Sequence, residues 1–246
     1  MSGTHENRIA FITGANKGLG FETARQLGRL GITIVVGARD EERGQRAVEA
    51  LRGEGIAAHR VLVDVTRDET IESAVGWIDR ELGRLDILVN NAGVQVQRAA
   101  PSEVSVENLR RTFEPNFFGA FAVLQAALPL LRRAPAGRIV NVSSNVGSMF
   151  RLTDPDWELA ERIYLGFAYS ASKTALNVLT IAFAKELRGT AVKINSVCPG
   201  FTATDFNQHR GTRRPEDSVK LIVRYATLGP DGPSGGFFDE VGRIPW

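Results

Sequence analysis

The chain has 246 residues, 43% hydrophobic and 24% charged, with a formal net charge of +2. That balance belongs to a folded globular protein and excludes disorder, collagen-like repeats and coiled coil. The basic residues are scattered rather than gathered in a stripe, so no nucleic-acid surface is expected.

Residues 1–8 lack the apolar run of a signal peptide, and the most apolar stretch, 117–131, is broken by Gln125 and Pro129 and is too short to span a membrane. A single cysteine, Cys198, forms no internal disulfide and suits a reducing, cytoplasmic compartment. His5, His59 and His209 have no ligand spacing, so no metal is expected.

In chain order, β-branched runs predict strands at 9–13, 33–36, 59–63, 85–90, 138–142 and 192–197. Segments of helical period between them predict helices at 18–30, 40–52, 68–82, 105–131 and 169–188, with Gly31 and Gly83 as stop signals. Pro115 predicts a local break in the fourth of these. Strands alternating with helices imply an α/β fold, a doubly wound parallel sheet of the Rossmann type in one domain. Two stretches, 145–168 and 202–246, show neither period and are expected to be irregular walls of a ligand site, with 235–238 as a last short strand.

The first strand runs into Thr13-Gly14-Ala15-Asn16-Lys17-Gly18-Leu19-Gly20. Glycines there allow a tight turn and let backbone N–H groups approach a pyrophosphate at a helix N-terminus. The second strand leads to Ala38, where dinucleotide folds that prefer NAD place an acid for the ribose 2′-hydroxyl, and Arg39 follows. Arg39 and Lys17 are two cations suited to a 2′-phosphate, which favours NADP(H) over NAD(H). Asp64 and Val65 after the third strand are placed to bracket an adenine, and Asn91, Ala92 and Gly93 after the fourth form a small-residue turn that a cofactor can pass closely.

Tyr169 and Lys173 stand four apart, on one face of a helix. A neighbouring cation is expected to lower the phenol's pKa and make Tyr169 a proton donor and acceptor. Tyr164 and Tyr225 have Ala168 and Gly229 at the fourth following position and cannot form such a pair. Ser143 and Ser144 end the fifth strand, where a hydroxyl can stabilise charge growing on a carbonyl oxygen. Asn116, flanked by apolar residues and next to Pro115, needs a partner or a water for its carboxamide.

The ordered set of glycine loop, Asn-Asn-Ala-Gly, helix Asn, Ser, Tyr-x-x-x-Lys and Pro199-Gly200 resembles the short-chain dehydrogenase/reductase family from about Arg8 to Thr202, most nearly its NADPH-dependent carbonyl reductases. The resemblance implies Tyr169 as general acid/base, Lys173 as pKa modulator and nicotinamide-ribose ligand, Ser144 as carbonyl orienter and Asn116 as anchor of a water relay. Ser144 is chosen over Ser143 because Gly147 follows it at the family's interval. Pro199, Gly200 and Thr202 are implied cofactor contacts, Thr202 toward the nicotinamide carboxamide.

The 25 residues from Ser144 to Tyr169 exceed the family's compact spacing, and Met149, Phe150, Leu152, Trp157, Ile163, Tyr164 and Phe167 make this insertion apolar. It is expected either to touch substrate or to pack onto the domain, leaving the protein a monomer or a homodimer. The implied reaction is reduction of an aldehyde or ketone, with an apolar small molecule as the expected partner. The rivals are a non-catalytic NADP(H)-sensing or interaction protein and an alcohol dehydrogenase working oxidatively, or a related epimerase, the last disfavoured because no second substrate domain is evident.

Overall fold

The computed structural model describes residues 7–157 and 166–246. Ile163 and Tyr164, and part of the insertion with them, lie outside these residues. In chain order the elements are β1 (Ile9–Thr13), α1 (Gly18–Gly28), β2 (Thr33–Ala38), α2 (Glu41–Gly53), β3 (Ala58–Leu62), α3 (Asp68–Leu82) and β4 (Ile87–Asn90). There follow α4 (Val106–Phe113), a π-helical turn (Glu114–Phe118), α5 (Gly119–Arg133), β5 (Arg138–Val142), α6 (Met149–Thr153), α7 (Phe167–Glu186), β6 (Lys193–Val197), α8 (Pro215–Ala226) and β7 (Phe237–Phe238).

The strands form one parallel sheet in the order β3-β2-β1-β4-β5-β6-β7. The chain winds outward one way from β1 to β3, then returns and winds the other way from β4. A crevice therefore opens beyond the carboxyl ends of β1 and β4, the switch point where such sheets bind ligands.

Period-two alternation splits the core between the two faces. From β1, Ile9 and Phe11 join Ile71, Val123 and Leu179 on the side of α3, α5 and α7. Ala10 and Ile12 join Leu27, Val48 and Ile222 on the side of α1, α2 and α8.

Two sequence expectations are corrected. The stretch 202–246 is not irregular throughout, because α8 occupies Pro215–Ala226. Pro215 opens it, Glu216 and Asp217 face the positive end of its dipole, and Val219, Ile222 and Tyr225 join the core beside α1. The helix expected over 105–131 is two helices joined by the π turn. Pro115 sits at the start of that turn, where its missing N–H loosens the ladder.

Beyond β7 the chain folds back. Phe238 and Arg243 form an antiparallel bridge, and Ile244 N donates to Phe237 O at 2.7 Å. The tail then meets α6: Phe150 N donates to Trp246 O at 3.0 Å, Ser148 Oγ to Pro245 O at 2.5 Å, and Arg151 pairs with Asp239 at 3.0 Å. This packing is one of the two roles expected for the apolar insertion.

Arg138 is 1% exposed at the start of β5. Its guanidinium donates to the carbonyls of Leu228 (2.8 Å), Gly137 (2.8 Å), Ala191 (3.0 Å) and Gly229 (3.1 Å), tying the sheet's lower rim to the segment after α8. Arg138→Leu strands these acceptors and is expected to cost about 2–4 kcal/mol. A lowered denaturant midpoint measures it; an unchanged midpoint would show that water replaces the arginine freely.

Candidate active site

The glycine loop between β1 and α1 is built for close backbone approach. Gly14 and Gly18 have φ of 65° and 57°. A Cβ on Gly20 would lie 2.5 Å from Gly14 O and 2.6 Å from Asn91 Nδ2. The turn after β4 is stitched to this loop: Asn91 Nδ2 donates to Thr13 O at 2.8 Å, and the backbone N–H groups of Asn91 and Ala92 both donate to Thr13 Oγ1 at 3.0 Å. Capping side chains cover the start of α2 (Asp40) and α4 (Ser105), but at α1 no side chain caps and no acid stands in the first turn. Its first N–H groups thus face the crevice without an internal acceptor, which suits a phosphate.

Lys17, Arg43, Arg46 and Asp205 line a cleft of about 650 Å³ beside the loop, together with Asn16, Phe21, Ala47 and Ala50. Arg39, the second cation singled out in the sequence, lies exposed just past β2 and outside that lining. Arg43 and Arg46 were not foreseen. They lie on α2 and reach the cleft by helical spacing, which a motif tied to the end of β2 does not register. Asp64 Oδ1 accepts from Thr66 Oγ1 at 2.8 Å, and Val65 packs so tightly on the start of α5 that a Cβ on Gly119 would lie 2.4 Å from Val65 O. Thr202 is buried with its hydroxyl 2.7 Å from Ser218 Oγ, and Gly200 takes a positive φ of 81° after Pro199.

Tyr169 and Lys173 lie on the first turns of α7. The Ser144 side chain lies near enough to the phenol to oppose, in part, the upward push on its pKa. Ser143 is buried with its hydroxyl unpartnered. Behind Ser144 a 3-10 turn, Asn145–Gly147, presses on α7, where a Cβ on Gly147 would lie 2.9 Å from the backbone of Lys173. A glycine is what lets that turn dock against α7 just beyond Ser144.

Lys173 is 4% exposed, and its Nζ donates to Val142 O at 2.8 Å while lying 5.6 Å from the Tyr169 ring centre. Burial holds its pKa down to about 8. The expected lowering of the phenol's pKa is not found. Burial pushes Tyr169 upward, the Cys198 thiol adds to this, and the Ser144 side chain opposes it. The lysine's proton is directed at a strand carbonyl rather than at the phenol, so desolvation decides the sign.

Asn116 sits in the π turn, 1% exposed, and finds protein partners. Its Oδ1 accepts from Val94 N at 2.8 Å, and its Nδ2 donates to Val94 O and Ser172 Oγ, both at 2.9 Å. Ser172 Oγ in turn donates to Tyr169 O at 2.7 Å. A Cβ on Gly93 would lie 3.0 Å from Asn116 Oδ1 and 3.6 Å from Lys173 Nζ. The Asn91 turn, Asn116 and Lys173 thus converge on one spot. Beneath them a buried polar chain locks β4, β5, α7 and β6: Asn90 Nδ2 to Asn141 Oδ1 (2.9 Å), Asn141 Nδ2 to Thr180 Oγ1 (2.8 Å), and Thr180 Oγ1 beside Ser196 Oγ (2.8 Å).

Phe206, which carries no sequence signal, lies 5.6 Å ring to ring from Tyr169. Met149, Phe150 and Phe201 are exposed apolar side chains on the neighbouring segments after β5 and β6. No helix among the described residues is long and apolar enough to cross a membrane.

The model of the short chain dehydrogenase family matches residues 8–215. Carbonyl reductase (NADPH) 1 of Mus musculus is 34% identical, over 97% of this chain and 98% of its own. The solved salutaridine reductase of Papaver somniferum superposes with a TM-score of 0.79 at 31% identity, covering 95% of this chain and 99% of that one. A short chain dehydrogenase of Shigella flexneri, complexed with NADP, gives 0.84 at 26% identity over 97% and 99% of the two chains. Matched along nearly its whole length by such relatives, the chain is a member of the short-chain dehydrogenase/reductase family of oxidoreductases, on its carbonyl reductase-like branch.

Proposed function

We propose that this protein reduces the carbonyl of an apolar ketone or aldehyde to an alcohol with NADPH. The observation that carries the proposal is the meeting of Ser144, Tyr169 and Lys173 beside a loop whose glycines leave room for a dinucleotide.

The residues present fit NADP(H). The uncapped start of α1 with Gly14, Asn16, Gly18, Leu19 and Gly20 suits the pyrophosphate, and Lys17, Arg43 and Arg46 in the cleft, together with Arg39 just past β2, suit a 2′-phosphate. Ala38 at the end of β2 offers no carboxylate to a ribose hydroxyl. Asp64 and Val65 are assigned to the adenine side. Asn91, Ala92, Gly93, Pro199, Gly200 and Thr202 are assigned to the path of the nicotinamide half. Relatives named as NADPH enzymes or solved with NADP support the choice of nucleotide.

When bound, NADPH supplies the hydride. Ser144 Oγ donates a hydrogen bond to the carbonyl oxygen as negative charge grows there, and Tyr169 delivers the proton that makes it a hydroxyl. The phenol, pushed upward by burial, is protonated across the neutral range and so carries a proton to give, and the cation behind it offsets part of the cost of losing that proton. Lys173 lies behind the phenol and stabilises the phenolate that proton transfer leaves. Asn116 fixes the π turn through Val94 and Ser172. With its carboxamide so committed, the turn's main chain is the place for a water that returns a proton to Tyr169.

Phe206, Phe201 and Phe150 favour an apolar substrate. The single unpaired cysteine is consistent with a cytoplasmic setting. Incubating the protein with NADPH and a panel of aliphatic and aryl ketones tests the proposal. Carbonyl-dependent loss of NADPH absorbance is the expected result. Tight NADPH binding with no turnover on any carbonyl would mark a nucleotide-sensing protein instead.

A further inference from the structure

Lys17, read from the sequence as a phosphate-binding cation, holds a carboxylate: its Nζ donates to Asp205 Oδ2 at 2.8 Å. Asp205 opens the short turn Asp205–Asn207 that follows β6. The turn is braced from within. Thr204 and Asn207 close a reciprocal capping box, and Asn207 Nδ2 donates to Thr202 O at 2.8 Å. It lies against the loop, since a Cβ on Gly18 would meet the Thr204 side chain at 3.6 Å. The next residue, Phe206, places its ring 5.6 Å from that of Tyr169. One braced turn therefore touches the cofactor loop with one side chain and the reacting phenol with the next.

The charges sharpen this arrangement. Among the described residues that line the cleft beside the loop, Asp205 is the single acid, against Lys17, Arg43 and Arg46. His209 Nε2 lies 2.9 Å from the other carboxylate oxygen, and Lys17, with His209 behind it, holds the Asp205 carboxyl below its ordinary range. Asp205 is thus an anion already seated on the cation that a 2′-phosphate needs. A phosphate and a carboxylate on one ammonium repel each other, and the more highly charged group prevails.

We propose that Asp205 is a positioning residue that competes with the nucleotide's 2′-phosphate for Lys17, so that NADP(H), but not NAD(H), releases the Asp205–Asn207 turn and moves Phe206 off Tyr169. The proposal rests on the NADP(H) reading above. It makes cofactor choice act at the substrate mouth as well as at the ribose. With NADH the carboxylate keeps its partner, and Phe206 stays over the phenol.

The test is to measure dissociation constants for NADPH and NADH by nucleotide fluorescence in the wild type, Asp205→Asn, Asp205→Glu, Lys17→Ala and the double variant Lys17→Ala/Asp205→Asn. Asp205→Asn is expected to tighten NADPH about fivefold, the scale of one exposed charge, and to leave NADH unchanged. It should also lower the KM for an aryl ketone with NADH as donor without a matching change in kcat. Asp205→Glu, which keeps the charge, should restore the wild-type NADPH affinity, and in the Lys17→Ala background Asp205→Asn should have no effect on NADPH. Equal tightening of both nucleotides, no tightening, or an effect that survives loss of Lys17 would overturn the gate while leaving the reductase reading intact. A wild type that binds no NADPH would overturn both.

Discussion

Tyr169→Phe is expected to lower kcat for carbonyl reduction by about 10³-fold, the scale of a lost general acid, while leaving the NADPH dissociation constant within about twofold. The phenyl ring keeps the packing against Phe206, 5.6 Å away, so the loss falls on the hydroxyl alone. In the proposed reaction that hydroxyl is the acid that protonates the product oxygen, beside the Ser144 side chain. Steady-state rates with a reactive ketone, paired with nucleotide titrations, make the measurement. Turnover within tenfold of the wild type would remove Tyr169 from the chemistry and return Ser144 or a solvent water as proton source.

Lys173→Met should reduce kcat/KM by about 10²-fold and also erase a feature of the pH profile. Burial lowers the lysine from its ordinary 10.5 to about 8, so below that pH it is an ammonium and above it a neutral amine. In the proposed mechanism the ammonium stabilises the phenolate that proton delivery leaves, so reduction is expected to run best below the break and to weaken as pH rises through about 8. Measured as kcat/KM for NADPH, which reports groups of the free enzyme, the wild type should show this descending limb and Lys173→Met should not. A descending limb that persists in the variant would assign it to another group.

The parallel sheet was legible because each strand is a short apolar run closed by a turn, and buried strands leave no other pattern. All six expected strands are present: β1 and β5 keep the expected bounds and the other four shift at one or both ends by one or two residues, as at β3, where 59–63 becomes Ala58–Leu62. The break at Pro115 was also legible, since a missing N–H inside a helical run has to alter the ladder. Helix α8 was overlooked although its signals stood in the sequence. Pro215 with Glu216 and Asp217 marks a helix start, and Val219, Ile222 and Tyr225 keep the period, but the Gly- and Pro-rich flanks drew attention instead.

In the site, the spacing of Tyr169 and Lys173 and the position of Ser144 were readable because each is fixed by one helix or one strand end. Asp205, Phe206, Arg43 and Arg46 were not, because they enter the site through tertiary placement of a loop and a helix face. The direction of the phenol's pKa was also beyond the sequence, since it depends on how much water burial removes.

The fold-back beyond β7 reaches past catalysis. An edge strand that shows unpaired N–H and C=O groups invites a second molecule to extend the sheet, the first step toward ordered aggregates. Here the last strand is two residues long, and its outer side is taken by the bridge from Phe238 to Arg243 and by Ile244 N on Phe237 O. The opposite edge, β3, carries His59 and Arg60, with Arg60 paired to Glu41 at 2.8 Å. Among the described residues neither margin presents a long apolar template to a strand from another chain.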